Sequence, residues 1–404
     1  MSTSLLYHGF GIRGYTYVNA MYEGGWTVFM IKPQQEKLCC SVCGSRRIIR
    51  RGDYRRLYRT LPIGSRPTQV MVDVPRVQCL DCGVVRLIRV GFADPRRSYT
   101  RAFERYVLEL ARNMTIQDVA RHLQIGWDTV KDMQKRWLQK KCKRIKLKGL
   151  RQIAIDEISI GRGHRYVTVV LDLISGAVVF VGDGKGAEAL EPFWERLKRT
   201  RAKIEAVAID LSRAYFHAVT THLPKAVIVY DHFHIIKLFN EKLSELRREL
   251  YREATGKLQK KVLKGTRWLL LKNPEHLDPA RRESHRLQEA LRLNEPLAAA
   301  YYMKEDLRQI WEQPDKTTAR KVLDDWIRRA EVSGIRMLNK FAHTLAAHRA
   351  GILAYYDYRI STAALEGTNT KIRLLQRQAF GYRDHEFFKL KIYTARELRW
   401  KLVG

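Results

Sequence analysis

The chain has 404 residues, 45% of them hydrophobic, which is enough to bury real cores in two or three domains. Lys and Arg number 75 against 42 Asp and Glu, a formal net charge of +33, which points to a polyanionic partner such as nucleic acid. No run of 18 or more apolar residues is present, and Met1-Ser2-Thr3-Ser4-Leu5-Leu6 has no basic start before an apolar core; a membrane span and a secretory signal are not expected, and a cytoplasmic protein fits.

Residues 1–95 are punctuated by Gly and Pro and carry short β-like runs such as Val70-Met71-Val72-Asp73-Val74. Within them, Cys40-Ser41-Val42-Cys43 and Cys79-Leu80-Asp81-Cys82 form two Cys-x-x-Cys pairs, each followed at once by glycine (Gly44, Gly83). Four thiolates in two such knuckles match tetrahedral structural zinc. Cys39 competes with Cys40 for a ligand place, and the spacing favours Cys40. The 35 residues between the pairs exceed what a compact zinc ribbon carries and leave room for a hairpin. That stretch holds Arg46, Arg47, Arg50, Arg51, Arg55, Arg56 and Arg59, interleaved with Tyr54 and Tyr58. On a zinc module, such a run reads as a set of phosphate contacts.

Residues 98–141 turn helical. Thr115-Ile116-Gln117-Asp118 opens a helix in capping-box style, with Val119, Ala120 and Leu123 inward. A turn at Gln124-Ile125-Gly126 leads to a second helix, Trp127–Trp137. The pattern predicts a helix-turn-helix with Thr129, Lys131, Gln134 and Lys135 facing the major groove.

Residues 150–235 predict three strands (Ile153–Ile160, Arg165–Leu173, Ala177–Gly182), a helix, the strand Ala206–Asp210, a helix and the strand Ala226–Asp231. That order gives a mixed α/β sheet. Residues 235–355 read almost wholly as helix, and a last helical stretch runs from about 361 to 402, broken near Phe380-Gly381-Tyr382. Trp268, Trp311 and Trp326 in the helical region read as core residues. Cys142 reads as an inert thiol.

Asp156 and Asp210 end two apolar strands, and Glu366 lies far downstream in Ala364-Leu365-Glu366-Gly367-Thr368-Asn369. Carboxylates at the carboxyl ends of buried strands sit where open α/β sheets place ligands. Three converging carboxylates need cations between them, which suits Mg²⁺ or Mn²⁺ and attack on a phosphodiester. Glu157, Asp172 and Asp231 compete for these places, with Glu157 expected to point away from Asp156.

The chain resembles bacterial insertion-sequence transposases of the ISL-three family, which are similar in catalytic design to Mutator-like transposases. The resemblance rests on Leu6-Tyr7-His8-Gly9-Phe10-Gly11-Ile12, Cys40–Gly44, Leu61-Pro62-Ile63-Gly64, Val74-Pro75-Arg76-Val77-Gln78-Cys79, Ile155-Asp156-Glu157, Asp231-His232-Phe233-His234 and the block Glu366–Arg373. It implies an RNase H-like domain with a DDE triad, here Asp156, Asp210 and Glu366, supported by an Asp-x-x-His element matched by Asp231 and His234. In that strand order strand four lies beside strand one and strand five outside it, so Asp210 ranks ahead of Asp231 as metal ligand. Lys371, Arg373 and Arg377 follow Glu366 at helical spacing and could clamp the DNA backbone.

The expected organisation is therefore a multidomain chain: a zinc-binding, DNA-binding β-rich module (1–95), a helix-turn-helix (96–148), the first part of an RNase H-like catalytic domain (149–235), an all-helical insertion (236–355) and the second part of the catalytic domain (356–404). The implied activity is DNA transposition on double-stranded DNA by a homodimer or larger assembly, associated with the bacterial nucleoid. A zinc and helix-turn-helix regulator without catalysis, or an RNase H-like nuclease without strand transfer, are the alternatives.

Overall fold

The computed structural model describes residues 3–143, 145–161, 163 and 165–395, leaving aside the side chains of residues 3, 4 and 257–259. Expected helix beyond residue 395 lies outside the described residues. The chain forms two compact units, one running to Lys143 and the other following it.

In the first unit, α1 (Thr3–Phe10) precedes β1 (Tyr15–Glu23), β2 (Trp26–Pro33), β3 (Ile48–Ile63), β4 (Arg66–Cys79) and β5 (Val85–Leu87). The sheet order is β1-β2-β4-β3, with β5 also on β4. Gly24 and Gly25 take φ of 55° and 80° and join β1 to β2 where Glu23 pairs Trp26. Left-handed backbone at both central residues is what a two-residue hairpin turn demands. The strands are longer than the short runs expected: β3 has 16 residues and β4 has 14. Phe29, Tyr58, Val70, Val72, Val74 and Phe92 pack the inner face.

Three helices complete this unit: α2 (Arg101–Leu110), α3 (Ile116–Leu123) and α4 (Trp127–Cys142). Thr115 caps α3 by accepting from the Asp118 N–H at 3.1 Å, and its hydroxyl donates to the Asp118 carboxylate at 2.6 Å. Gln124 terminates α3 in left-handed backbone (φ 53°), and Ile125 N–H returns to Ala120 O at 3.0 Å. Val107, Val119, Leu123, Val130 and Met133 form the shared core of the three helices.

The second unit contains β6 (Gln152–Gly161), β7 (Arg165–Asp172), β8 (Ala177–Asp183), β9 (Ala206–Ile209) and β10 (Val227–Tyr230), in the order β10-β9-β6-β7-β8. β7 runs antiparallel to β6 and β8, whereas β9 and β10 run parallel to β6. This is the RNase H-like arrangement, with the fourth strand beside the first and the fifth outside it. Helix α5 (Glu191–Thr200) follows β8, and α6 (Arg213–His222) links β9 to β10. The strands are nearly continuous apolar runs because helices cover the sheet.

Between β10 and the last helices lies an all-helical region: α7 (His232–Glu253), α8 (Lys257–Gly265), α9 (Glu283–Leu293), α10 (Glu295–Arg308), α11 (Lys316–Val332), α12 (Arg336–Ala347) and α13 (Arg349–Leu353). Phe239, Trp326 and Phe341 meet edge to face, 4.9–6.0 Å between centroids, and Trp326 donates to Met303 O at 2.8 Å. Trp326 is thus core, and Trp311 packs partly buried against it. Trp268 corrects the expectation: it is 65% exposed, with the Arg267 guanidinium 4.6 Å above its ring. It stands between Arg267 and Leu269-Leu270-Leu271, where Leu269 and Leu270 take the buried places.

Helix α13 lies directly on β10. A Cβ added to Gly351 would stand 2.5 Å from the Tyr230 ring, so glycine is required at that crossing. Finally, α14 (Ala363–Gln378) and α15 (His385–Ile392) return to the sheet, and Gln376 of α14 donates to Ile160 O of β6 at 2.9 Å.

Candidate metal centres and nucleic-acid interface

The zinc knuckles flank the β3–β4 hairpin. Ile48, just after the first pair, is paired with Cys79 of the second, so the 35 intervening residues form the hairpin that closes the site. Cys40 Sγ lies 3.7 Å from Cys82 Sγ, and Cys43 Sγ lies 3.5 Å from Cys79 Sγ. Zinc at about 2.3 Å from each of four tetrahedral sulfurs needs edges of roughly 3.8 Å, so the four thiols fit it. Gly44 and Gly83 have φ of 77° and 69°, and their N–H groups bond to the carbonyls of Cys40 and Cys79 at 3.1 and 3.0 Å. The N–H groups of Cys43 and Val42 pull the Cys40 thiol down to about 6, and the Cys82 N–H leads the same lowering at Cys79. Thiolate, the form that binds metal, is favoured at these two, while Cys43 and Cys82 beside them are pushed up. Cys39 and Cys142 stay outside this cluster.

The arginines of β3, with Arg46 and Arg47 just before it, divide into two kinds. Arg47 pairs with Asp81 at 2.9 Å, Arg50 with Asp53, Arg51 with Gln78 at 2.7 Å and Arg55 with Asp73 at 2.8 Å, all exposed. Arg46 is exposed as well, and Arg56 reaches Arg97 O at 3.2 Å. Arg59 is different. It is only 8% exposed, sits 4.3 Å above the Trp26 ring and 5.6 Å from that of Phe103, and donates to Leu123 O at 2.9 Å. The outer edge of β3 is covered at this point, because Arg59 N–H bonds to Ser98 O at 2.7 Å and Arg59 O accepts from Thr100 N–H at 2.8 Å. The expectation that Arg59 contacts phosphate is therefore corrected: it caps the carbonyl end of α3, where a cation is favoured.

Gln134 is also corrected. Val130, Met133, Gln134 and Leu138 form the buried stripe of α4, and Gln134 is 3% exposed, so it cannot face a groove. It lies one turn after Val130 and shares its face. Thr129, Lys131 and Lys135 remain half-exposed on α4. In salt titrations of duplex binding, Arg55→Ala should reduce the slope of log K against log salt by about one. Arg59→Ala should leave the slope unchanged and instead destabilise the first unit by about 1–3 kcal/mol, read as a lowered melting temperature.

In the second unit, register brings the acids together. Ala154 pairs with Ala208 and Ile209 with Tyr230, so Asp156, Asp210 and Asp231 stand abreast on three adjacent parallel strands: Asp210 and Asp231 just past the carboxyl ends of β9 and β10, Asp156 within β6, which runs on beside β7 to Gly161. Asp231 N–H bonds to Ile209 O at 3.1 Å, continuing the ladder. Asp172 lies at the opposite end of β7, opposite Ile153, and closes a turn through the N–H groups of Ile174 and Ser175. It is a turn residue.

Asp156 is 8% exposed. Burial raises its pKa above the usual carboxylate range; His234 and the Glu157 N–H pull it down, and Asp210 pushes it up. Glu157 is raised by burial and then by Asp210, and it neighbours the Tyr215 hydroxyl of α6. Asp156 instead meets α14, so the two adjacent acids diverge as alternation requires. Asp210 accepts from Ser212 N–H at 3.0 Å through one oxygen.

Asp231 is 1% exposed and caps α7, accepting from Phe233 N–H at 3.3 Å and from the buried Thr362 hydroxyl. His234 Nε2 lies 3.9 Å from Oδ2, the oxygen that accepts from Thr362, and one ligand atom each from Asp231, His234 and Glu366 lie within 4.8 Å of one another. Donors on a cation with bonds of about 2.1–2.4 Å are at most roughly 4.2–4.8 Å apart, so the three atoms are near the reach of one divalent ion. Glu366 is exposed on the first turn of α14, with Lys371, Arg373 and Arg377 exposed further along. The acids thus form two adjoining groups, Asp156 with Asp210 and Asp231 with Glu366, with His234 bordering both.

Sequence reasoning missed Asn369. It is 7% exposed on α14 and donates through Nδ2 to Asp156 Oδ2 at 2.9 Å. Its place one turn after Glu366 was a signal that an amide shares the carboxylate's helix face.

A family model described as a transposase matches residues 153–392, well over half the chain. The helix-turn-helix domain of transposase family ISL3 matches 88–138, and the zinc-finger of transposase IS204/IS1001/IS1096/IS1165 matches 36–82. This chain belongs to the ISL3 (ISL-three) family of transposases. It is 34% identical over 369 residues to the transposase for insertion sequence element IS1001 of Bordetella parapertussis, covering 90% of each chain. It is 31% identical over 388 residues to the transposase for insertion sequence element IS1557 of Mycobacterium tuberculosis, covering 90% of this chain and 86% of that one. A solved Drosophila P element transposase strand transfer complex aligns with a TM-score of 0.35 and 11% identity, over 61% of this chain and 78% of that chain. For this ISL3 transposase the zinc finger and the helix-turn-helix are thereby accounted for, and β6–β10, but for Gln152, fall within the segment that the transposase model matches. Among the described residues no helix is long and apolar enough to cross a membrane.

Proposed function

We propose that this ISL3 transposase binds the ends of an insertion sequence in double-stranded DNA, cleaves a phosphodiester there and joins the freed 3′-OH to target DNA. The observation that carries this reading is the row of Asp156, Asp210 and Asp231 level with one another across three parallel strands, with Glu366 of α14 beside Asp231. Asp156, Asp210 and Glu366 are the DDE triad and would hold two Mg²⁺ or Mn²⁺ ions. Burial, with a smaller contribution from Asp210, raises Asp156 and Glu157, and cations beside them would favour their charged forms, which supports the fit. Bound there, the ions would supply a lowered pKa for the attacking water and charge compensation at the scissile phosphate.

The chain's own groups do the rest. Asp231 and Thr362 fix the start of α7 against that of α14, and so hold His234 and Glu366 in place. Lys371, Arg373 and Arg377 neutralise phosphates beside the scissile bond. Arg46, Arg47, Arg50, Arg51, Arg55 and Arg56, with Thr129, Lys131 and Lys135, contact the element end. In the joining step the 3′ oxygen forms a new bond to a target phosphorus while the target strand's own 3′ oxygen leaves. Joining two ends requires at least two protomers, and the site of action is the nucleoid in the cytoplasm.

A strand-transfer assay with a pre-cleaved 3′ end tests this. Joined product is expected; cleavage without joining would leave a nuclease, and neither step with intact end binding would leave a regulator.

A further inference from the structure

We propose that Asn369 is a positioning residue for the first carboxylate: its amide orients Asp156 toward the cation site and ties that strand to the helix that carries Glu366. The inference rests on the reading of Asp156 as a cation ligand. Residues 156 and 369 are joined by one short hydrogen bond between two side chains that are both more than nine-tenths buried. An ionised carboxylate only accepts, so the amide must present its NH₂ to Asp156 and turn its oxygen elsewhere. That oxygen, Oδ1, is buried and has no protein partner. A buried acceptor without a partner costs free energy unless something donates to it. In a cation site the available donor is water on the cation, so a single amide can hold the carboxylate and receive the ion's water.

The position explains the residue type. Asp156 Oδ1 already accepts the Glu157 N–H at 2.8 Å, and Oδ2 accepts the amide, so both oxygens are directionally fixed while each keeps a lone pair. A carboxylate at 369 would set a like charge against a buried acid, and an aliphatic group would leave Oδ2 unheld. Because Asn369 and Glu366 lie one turn apart on α14, the same bond fixes the azimuth of the helix and hence the reach of Glu366. Partners that orient metal ligands typically contribute 10–100-fold to metal affinity or activity.

The test uses the full-length protein with Mn²⁺ as probe. Mn²⁺ binding is followed by electron paramagnetic resonance titration, alongside the Mn²⁺ dependence of cleavage, binding of an element-end duplex, and melting temperature. Asn369→Ala should raise the half-saturating Mn²⁺ concentration about 10–100-fold in both metal readouts, with duplex binding unchanged. Asn369→Leu, which keeps the branched shape and heavy-atom count, leaves no cavity and removes both polar atoms, should do the same, so a cavity in the alanine variant cannot account for the effect. Wild-type Mn²⁺ affinity in Asn369→Leu, or a cleavage loss that excess Mn²⁺ does not reduce, overturns the proposal. Asp156→Ala separates the two levels: if it loses Mn²⁺ binding and cleavage while the Asn369 variants match wild type, only the role of Asn369 falls. If Asp156→Ala retains both, the carboxylate reading falls with it.

Discussion

Asp156→Asn, Asp210→Asn and Glu366→Gln are each expected to abolish strand cleavage and joining while leaving end-duplex affinity and melting temperature near wild type. Each exchange is nearly isosteric and removes a negative charge that would hold the cations, whose compensation of charge at the reacting phosphate is an effect of several kcal/mol. The corresponding rate loss is on the order of 10³-fold or more. Asp231 should behave differently. Its carboxylate caps α7 and accepts from the buried Thr362 hydroxyl, so Asp231→Ala removes a cap and strands a buried donor. The combined cost is about 2–4 kcal/mol, seen as a lowered melting temperature. Asp231→Asn keeps the capping oxygen and should recover much of that stability. Full cleavage by Asp210→Asn, together with a dead but stably folded Asp231→Asn, would transfer the second ligand position to Asp231.

Removing zinc should have the larger effect on folding. Metal analysis of the purified protein should give about one zinc per chain, and Cys79→Ser should bring it close to none. In small zinc modules the binding energy, about 10–16 kcal/mol in apparent terms, is also folding energy. Cys79 belongs both to the metal site and to the strand that pairs with β3, so its loss opens the base of the hairpin. Hydrogen exchange should show lost protection across 40–87 in Cys79→Ser, with the second unit's sheet still protected. Retained protection in a zinc-free variant would remove the structural role of the metal.

The catalytic half was readable because buried parallel strands are written as unbroken apolar runs, and an acid at the end of such a run is conspicuous. The strands around Asp156, Asp210 and Asp231 fall within a residue or two of their expected limits. The cysteine spacing was equally legible, since it encodes tetrahedral geometry directly. The N-terminal sheet was harder. β3 is exposed on both faces over much of its length, so Arg and Tyr replace the alternation that would mark a long strand. Arg59 looked like its neighbours, and only tertiary cover from Ser98–Thr100 and α3 distinguishes it. Gln134 and Trp268 failed for opposite reasons: a polar residue fell on a buried stripe, and an aromatic found nothing to cover it. Asn369 was invisible as a partner of Asp156 because the contact closes over more than two hundred residues, a separation no local pattern encodes.

The buried guanidinium of Arg59 has a mechanical consequence. One cation, clamped between two aromatic rings and a helix-terminal carbonyl, locks the metal-stapled hairpin and the three-helix cluster into a single reading head. If both the arginine strand and α4 contact one duplex, as proposed, two surfaces on one stiff body cannot adjust their phase independently. The stretches of duplex they touch would then be separated by a fixed number of base pairs, and adding one or two between them should rotate one stretch out of reach.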